Sequence, residues 1–260
     1  MSGSIRSYQF SNILTEVGHK ISIVTTYRNK TNKKEWFKTK INGYDIHWKP
    51  LEYSNYFGFN RRIINFIRFA WVSIFKIYKL EADIIYASST PLTVAIPSIL
   101  ISKIKNIPLV FEVRDVWPDV PIAMKILKNP IIIFLSKLLE KVTYKYSSAI
   151  VVLSPDMKNN LLKKKIDSKK IAVIPNSSDL VEFEFNQELA TKFFEKRPWF
   201  KNKPILLYAG AHGIVNDLSY AIKLSKALQQ QNSEIRILLI GEGLEKKKLI
   251  ELAKKEKVFN

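Results

Sequence analysis

The sequence predicts an α/β fold with two Rossmann-like domains, each built on a parallel sheet. Three observations support this prediction. Short Val- and Ile-rich runs alternate with amphipathic helical segments, a turn-rich break follows residue 174, and the alternation then resumes at Ile205. The 260 residues, 47% of them apolar, are enough for two modest cores. We predict a first domain over 1–176, a linker over 177–203 and a second domain over 204–260.

The chain opens on a helix rather than on a strand. Ser4 is placed to cap this helix, and Gly18 lies just past its end. Its apolar positions follow the i, i+3, i+4, i+7 rule at Phe10, Ile13, Leu14 and Val17. A doubly wound domain normally begins with a strand, so the first domain is expected to lack its opening strand.

Two strands and a loop are predicted next. Residues 21–25 form the first strand, and residues 44–48 form a short second strand whose His47 is interpreted as structural. Between them, residues 28–42 contain six Lys or Arg and no apolar period, which predicts a flexible loop.

A long amphipathic helix is predicted over 60–80. Two interpretations stay open for it, because a basic amphipathic helix can cover a core or lie on an anionic membrane surface. Its internal charges and its length argue against a transmembrane span. The apolar positions on its one broad face are Ile63, Ile64, Ile67, Trp71, Ile74, Phe75 and Tyr78.

Repeated βαβ units complete the first domain and imply a mostly parallel sheet. The predicted strands cover 83–87, 108–113, 149–153 and 171–174, and the helices cover 92–104, a segment from Phe134 to Tyr146, and 156–165. In the second domain, strands 205–209 and 235–240 each end in a glycine turn followed by a helix. Such turns present backbone donors to phosphate, although glycine is also the ordinary residue of any tight turn.

The stretch from Phe111 to Asp119, FEVRDVWPD, carries the densest candidate chemistry. It follows a predicted parallel strand, and the ligand crevice of an open α/β sheet lies outside the carboxyl ends of its strands. On spacing alone the alternative is a self-neutralising loop in which Arg114 pairs with a neighbouring carboxylate.

This stretch resembles the "RD-L/V-WP-E/D" signature of the retaining GT-B-fold glycosyltransferases of family four. The resemblance is closest to the branch that builds bacterial surface polysaccharides, of the colanic acid and O-antigen L-fucosamine-transferase kind. Further segments match the family in order along the chain. They are IRSY at 5–8, ASSTPL at 87–92, VVLSP at 151–155, IPNSSD at 174–179, YAGAHG at 208–213 and GEG at 241–243.

The resemblance implies transfer of a sugar from a nucleotide diphosphate donor to a lipid-linked saccharide, with retention at the anomeric carbon. Asp115 would orient the acceptor hydroxyl, and Arg114 would position phosphate or the carboxylates beside it. No general base is assigned, because the family often carries His near this turn, whereas this chain has the pair Arg114-Asp115 there. The implied acceptor residues are Ser89, Glu112, Trp117, Pro118 and Asp119. The implied donor residues are Gly3, Arg6, Asn176, Gly210, His212, Gly213, Asn216, Gly241, Glu242 and Gly243.

Arg6 has two interpretations, as a guide for an anionic ligand or as a solvated residue of the first helical turn. The family places a Glu-x7-Glu element beyond the last residue of this chain. The second domain is therefore expected to be incomplete, which leaves open that the present chain is inactive. No metal or cofactor is expected, since glycine-turn amides and cations can stabilise a leaving diphosphate.

Composition narrows the partners and the location. The net charge of +19 has two interpretations, coding bias or attraction to anionic substrates and anionic membranes. A nucleic-acid partner is not expected, because no basic recognition helix or aromatic RNA-binding signature is present. Zero cysteines exclude disulfides and thiolate metal sites, and three scattered histidines do not indicate zinc. No signal peptide is evident, so we expect a cytoplasmic protein, peripheral on the inner face of the membrane.

Two alternatives from other classes stay open. The chain could be a truncated, non-catalytic remnant or a membrane-associated binding module. It could also be a sugar-nucleotide epimerase with the same two-domain plan, although such an enzyme needs carboxylates and histidines around the sugar and this sequence has few of them.

Overall fold

The structure is a computed structural model that describes residues 5–52, 57–89, 91–178, 180 and 183–258. The described residues divide into two compact units, one up to Ser177 and one from Ser178 onwards. Gly3 and the predicted cap Ser4 lie outside the described residues, as do Thr90 and Asp179 of the quoted segments.

The first unit contains six helices and seven strands among its described residues, besides short 3₁₀ turns. In chain order they are α1 (Ile5–Glu16), β1 (Ser22–Tyr27), β2 (Phe37–Ile41), β3 (Tyr44–Pro50), α2 (Phe59–Tyr78), β4 (Ile85–Ser88), α3 (Ala95–Lys105), β5 (Leu109–Val113), α4 (Asp119–Ala123), α5 (Pro130–Tyr146), β6 (Ala149–Val152), α6 (Pro155–Lys163) and β7 (Ile171–Val173). The predicted strands lie within two residues of the observed ones at each end.

The strands of the first unit form two sheets. The larger sheet has the order β4-β5-β6-β7, with every neighbouring pair parallel. The smaller sheet has the order β1-β3-β2, and only its β1–β3 pair is parallel. The prediction of an α/β fold with parallel sheets is confirmed.

Strand β2 corrects the prediction of a loop over residues 28–42. It pairs antiparallel with β3 through a turn in which Asn42 and Gly43 both have positive φ, at 46° and 88°. Asn-Gly is a strong hairpin signal, because both positions of a type I′ turn require positive φ. The Trp48 indole N–H donates to Thr39 Oγ1 at 2.8 Å across the pair. The dense lysines of this segment lie on an exposed edge strand, so they do not oppose pairing.

The helix boundaries follow from local capping. Asn129 Oδ1 accepts hydrogen bonds from the backbone N–H groups of Ile131 and Ile132 at the start of α5. Ser154 caps α6 by accepting from the backbone N–H of Met157 at 3.2 Å, and both helices carry Pro at their first position. At the end of α1, Gly18 adopts φ 92°, the left-handed conformation that suits glycine.

The core of the first unit lies between the larger sheet and the helices α3, α5 and α6. Its fully buried members include Leu109, Phe111, Ile150, Val152 and Leu161. Parallel strands buried on both faces are expected to be continuous apolar runs, as β6 is and as β5 is except at Glu112. This core fixes the strand ends and therefore the position of the loops that follow them.

The second unit contains α7 (Gln187–Glu195), β8 (Ile205–Ala209), α8 (Ser219–Gln230), β9 (Arg236–Ile240) and α9 (Lys246–Lys255). Strands β8 and β9 are parallel. A small core joins Leu218 and Ile222 to Leu249 and Ala253 of α9. Within the described ranges, no helix is long and apolar enough to span a membrane.

His47 is buried in the first unit, with 6% of its surface exposed, and its Nδ1 has no hydrogen-bond partner among the described residues. Burial lowers the pKa of its imidazole, and the charges of Lys76 and Lys38 lower the pKa further, against a smaller opposing effect of Asp45. The neutral imidazole is therefore the form that the folded state prefers.

This burial predicts a loss of stability in mild acid. Below about pH 6.5 the unfolded state binds the histidine proton while the folded state does not, so stability falls by up to about 1.4 kcal/mol per pH unit. Urea unfolding at pH 7.5, 6.5 and 5.5 measures this loss. His47→Gln is expected to reduce the slope, and His19→Gln, at an exposed position, is expected to leave it unchanged. An unaltered slope in His47→Gln would contradict the assignment.

Candidate active site

The candidate site lies at the carboxyl edge of the four-stranded sheet. Because the strands are parallel, the segments that follow β4, β5 and β7 emerge along the same edge. They bring Ser88 and Ser89, the stretch from Glu112 to Asp119, and the backbone of Ile174 to Asn176 into one neighbourhood. The first turn of α1 joins them through Arg6.

Glu112 is a buried carboxylate at this edge, with 2% of its surface exposed. Its Oε1 accepts a hydrogen bond from Arg6 Nε at 2.6 Å, and its Oε2 accepts one from the Ser88 hydroxyl at 2.5 Å. Both oxygens are thus engaged inside the protein, and the predicted role of Glu112 as an acceptor residue stays a prediction.

Arg6 connects three elements rather than one. Besides its ion pair with Glu112, its Nη1 donates to Pro175 O at 2.9 Å and to Asn176 Oδ1 at 3.4 Å, and its Nη2 donates to Ile174 O at 3.0 Å. The side chain is 13% exposed, which corrects the alternative of a solvated residue. Neither sequence interpretation included this contact, because Arg6 and Glu112 are 106 positions apart.

Tyr86 is an additional member of this cluster that sequence reasoning missed. Its ring stacks on Phe10 at a centroid distance of 5.4 Å. Burial raises the pKa of the phenol, and the charge of Glu112 and a hydrogen bond with that carboxylate raise it further, while Arg6 acts in the opposite direction. Tyr86 is two residues before Ser88 on β4, and this period-2 spacing is the one available sequence signal.

Ser89 fixes the start of the charged loop. Its backbone N–H donates to Glu112 O at 2.8 Å, and its hydroxyl accepts from the backbone N–H of Arg114 at 2.9 Å. Only 4% of its surface is exposed. Ser89 therefore holds the backbone of Arg114 in place, and its predicted contact with an acceptor stays a prediction.

The loop after β5 contains an exposed carboxylate, Asp115, the partly buried Trp117 and the buried Pro118. Asp115 is exposed and Arg114 is partly buried. The Trp117–Pro118 peptide bond is cis, Pro118 is fully buried, and Trp117 packs against the core of the first unit. The predicted acceptor residue Pro118 is thus part of the buried support of the loop, whereas the predicted catalytic residue Asp115 is exposed.

Asp119 belongs to an ion-pair network that the sequence did not indicate. Lys164 Nζ lies 2.7 Å from Asp119 Oδ2 and 2.5 Å from Glu140 Oε1. Burial lowers the pKa of Lys164, but its hydrogen bonds and the two negative charges outweigh burial and leave the pKa raised. Burial raises the pKa of the Glu140 carboxyl, against the opposing effect of Lys164.

A cavity of about 320 Å³ lies beside Asp119. It has an apolar wall and three oxygen-bearing side chains, and the Oδ1 atom of Asn160 is buried without a hydrogen-bond partner among the described residues. An apolar wall with a few polar groups is typical of a pocket for a small organic group. The lining residues are Val116, Asp119, Val120, Ala123, Asp156, Met157 and Asn160.

In the second unit, the two glycine turns contact each other. The backbone N–H of Gly210 donates to Ile240 O and that of His212 donates to Glu242 O, both at 2.9 Å. A Cβ atom at Gly241 would lie 1.8 Å from Gly210 O, and one at Gly243 would lie 2.3 Å from His212 O. These glycines are therefore required for close backbone approach between the turns.

The sequence predicted that the first glycine turn leads directly into a helix, and the structure differs. A 3₁₀ turn over Ile214–Asn216 and a left-handed Asp217 come between Gly213 and α8. Asn216 donates from its side chain to Ala211 O at 2.5 Å, and Glu242 is exposed and pairs with Lys246. His212 is 4% exposed, and neither of its ring nitrogens has a partner among the described residues.

The fold, together with the polar loop at the carboxyl edge of the four-stranded sheet, defines a class of protein. Both units are α/β with parallel sheets, as in the GT-B glycosyltransferases, which have two Rossmann-like domains. Residues 4–182, more than half of the chain, match the profile of Glycosyltransferase Family 4. The chain belongs to that family.

Solved structures give the same fold at low sequence identity. HepE of Anabaena in complex with UDP-glucose has a TM-score of 0.55 and 16% identity, over 74% of this chain and 50% of that chain. The α,α-trehalose 6-phosphate synthase of Burkholderia multivorans has a TM-score of 0.63 and 9% identity, over 99% and 64%. MnaA of S. aureus with UDP has a TM-score of 0.53 and 11% identity, over 93% and 67%.

No curated protein matches the chain in sequence. The chain spans about half the length of the HepE structures that it matches.

Proposed function

We propose that the protein transfers a sugar from a nucleotide diphosphate sugar to a saccharide on a lipid carrier, with retention, during synthesis of a bacterial surface polysaccharide. Membership of Glycosyltransferase Family 4 is the observation that carries this proposal. The HepE structures, which have this fold, were obtained with UDP, with UDP and glucose, and with UDP-glucose, so a uridine nucleotide is the first donor to test. The resemblance to the colanic acid and O-antigen branch supports the surface-polysaccharide role.

In this proposal the first unit receives the acceptor. Asp115 is exposed at the carboxyl edge of the sheet, where Ser89 holds the preceding backbone through the Arg114 N–H. The carboxylate can accept a hydrogen bond from a sugar hydroxyl and orient its oxygen. Arg114 follows directly on β5 and supplies a positive charge for a phosphate group. Trp117 and Asp119 complete the acceptor side, next to the 320 Å³ cavity.

The second unit would bind the donor through the glycine turns over 210–213 and 241–243, with Asn216 and Glu242 beside them. In the first unit, Arg6 and Asn176, which contact each other, are the described residues proposed to bind the donor. Backbone N–H groups and cations can stabilise a leaving diphosphate without a metal. The N–H groups of Gly210 and His212 are bonded to Ile240 O and Glu242 O, so other N–H groups of the turns and nearby cations would take this role. The departing phosphate can then accept the proton of the acceptor hydroxyl, so no separate base is required.

A lipid-linked acceptor also implies a location. The carrier lipid stays in the bilayer, so the enzyme has to meet it at the membrane surface. We therefore propose a cytoplasmic protein that is peripheral on the inner face of the cell membrane, and the net charge of +19 supports attraction to an anionic leaflet.

The test uses the complete gene product with UDP-sugars and a lipid-linked saccharide acceptor. Asp115→Ala is expected to lower turnover by about 10² or more, because the acceptor hydroxyl loses its orienting carboxylate. Asp83→Ala is the matched control, since Asp83 is exposed but lies before β4, at the opposite edge of the sheet. Equal loss in both variants, or no loss in Asp115→Ala, would remove Asp115 from the mechanism.

Product analysis separates the alternatives. A donor converted to its epimer without an acceptor product would indicate an epimerase. Binding without turnover would indicate a non-catalytic binding module, which is favoured by one observation, the mutual hydrogen bonding of the two glycine turns. Absence of both donor consumption and donor binding would refute the transferase proposal.

A further inference from the structure

Helix α2 is apolar on two faces, and only one of them faces the core. Ile74 and Ile77 pack against the main core of the first unit. A second stripe faces solvent, with exposed fractions between 54% and 65% at Ile64, Ile67, Trp71, Phe75 and Tyr78. The core-covering interpretation therefore explains the inner stripe and leaves the outer one without a function. The sequence predicted one broad apolar face on this helix, and the structure shows instead that only part of the apolar surface is buried.

Helices α3 and α5 extend this stripe sideways. The crossovers β4-α3-β5 and β5-α5-β6 are right-handed by the general rule, so both helices lie on one face of the sheet. Helix α3 packs between α2 and α5. It exposes Ile96, Leu100 and Ile104 at successive turns.

Helix α5 exposes a third set, Ile131, Phe134, Leu135, Leu138 and Tyr146. We call the exposed residues of α2, α3 and α5 together the three-helix surface. Exposed apolar patches that cover several elements are uncommon on monomeric proteins and indicate an interaction site.

The charges on the three-helix surface are of one sign. Helices α2, α3 and α5 contain four, two and three Lys or Arg respectively, nine in all. Of these nine, Arg61 is paired with the exposed Glu52, which precedes α2. The single carboxylate of the three helices, Glu140, is 5% exposed and is paired with Lys164, so it does not offset the other cations. Lys103 Nζ lies 3.3 Å from the ring centroid of Tyr146, and Lys105 Nζ lies 5.5 Å from that of Tyr78, so cations and aromatic rings interleave across the helix boundaries.

We infer that the three-helix surface docks the protein on an anionic bilayer, with the helices in the plane of the membrane. A bilayer offers both required components, anionic headgroups for the cations and an apolar layer for the Ile, Leu and Phe side chains. Trp71 and Tyr78 suit the boundary between these layers, because each combines an apolar ring with a polar group. A second copy of the chain is a poor occupant, since two such surfaces would place like charges opposite each other.

This inference rests on the proposed function for the acceptor that the docked enzyme would meet. It goes further in assigning the membrane contact to three helices of the first unit. Docking and sugar transfer are measured separately below, so that either can fail alone.

Vesicle sedimentation tests the inference with vesicles of phosphatidylcholine alone or mixed with phosphatidylglycerol. The wild type is expected to bind the mixed vesicles at least about tenfold more tightly, and less tightly as salt is raised. Trp71→Ser with Phe75→Ser, and Phe134→Ser with Leu138→Ser, are each expected to weaken binding about tenfold or more. Trp199→Ser with Phe185→Ser is the matched control, since these residues are 57% and 76% exposed in the second unit. Circular dichroism checks that all variants fold.

Quenching by brominated lipid adds a local readout. Part of the tryptophan fluorescence is expected to be quenched in the wild type, and that part is expected to be missing in Trp71→Phe. Equal vesicle binding by all variants, or equal quenching in Trp71→Phe, would overturn the inference. The inference would also be overturned if the wild type did not bind vesicles but self-associated, and if the α2 and α5 variants abolished this self-association.

Transfer to a soluble acceptor analogue, assayed without vesicles, isolates the proposed function. A wild type that transfers sugar but does not bind the vesicles would refute the three-helix surface alone. Docking without transfer would refute the transferase proposal alone.

Discussion

Replacing Arg6 by Ala is expected to lower the free energy of unfolding of the first unit by about 3–5 kcal/mol. The reason is that the change leaves Glu112 as a buried carboxylate without its charge partner, and breaking one side of a buried ion pair has this cost. The same change removes the hydrogen bonds to Ile174 O and Pro175 O, so the segment after β7 also loses its connection to α1. Urea unfolding measures the effect.

The control for Arg6 is an exposed pair of the same chemistry. Arg61 and Glu52 form an ion pair at 3.0 Å with side chains 60% and 82% exposed, and Arg61→Ala is expected to cost less than about 1 kcal/mol. Adding Glu112→Gln to Arg6→Ala is expected to recover part of the loss, because the buried charge is removed while an amide can still bond to Ser88. Equal costs for Arg6→Ala and Arg61→Ala would show that the buried pair is not important for stability.

Replacing Gly241 by Ala is expected to destabilise the second unit by about 3 kcal/mol or more. Its Cβ would lie 1.8 Å from the Gly210 carbonyl oxygen, a backbone atom that cannot rotate away as a side chain could. The two turns would have to separate, with loss of the hydrogen bonds from Gly210 to Ile240 and from His212 to Glu242. This effect is at or above the upper end of overpacking costs.

Gly213→Ala is the matched control, since nothing lies within 4 Å of the added Cβ and its φ of −103° is accessible to Ala. Thermal unfolding and hydrogen exchange of the β8 and β9 amides measure the difference between the two variants. Similar melting of both would mean that the turns move apart without cost. Gly243→Ala, with its clash at 2.3 Å, provides an independent repeat.

Local patterns were sufficient for most elements. The predicted strand from Pro108 to Val113 was confirmed as β5, and the strand over 205–209 was confirmed as β8, because short β-branched runs bounded by turn residues are read locally. The error at β2 has a local cause too. The Asn42-Gly43 turn was overlooked in a segment rich in lysine.

The position of the candidate site was predicted, but its ion pairs were not. The sequence correctly predicted FEVRDVWPD after a strand, yet it indicated neither the Arg6 partner of Glu112 nor the Lys164 partner of Asp119. The structure separates the three carboxylates: Glu112 is buried against Arg6, Asp119 is paired with Lys164, and Asp115 is exposed. The partners lie 106 and 45 positions away in the chain, and no local pattern encodes such pairs.

Most strands and helices, the family resemblance and the edge at which the polar loop emerges were predictable from the sequence. Each of them depends on residue spacing along a few turns or one strand. The folded structure was needed to show which carboxylates are paired, which glycines allow the two turns to approach closely, and which face of α2 is exposed to solvent. These properties depend on contacts between segments that are distant in sequence, and burial is a property of the packed chain rather than of any residue alone.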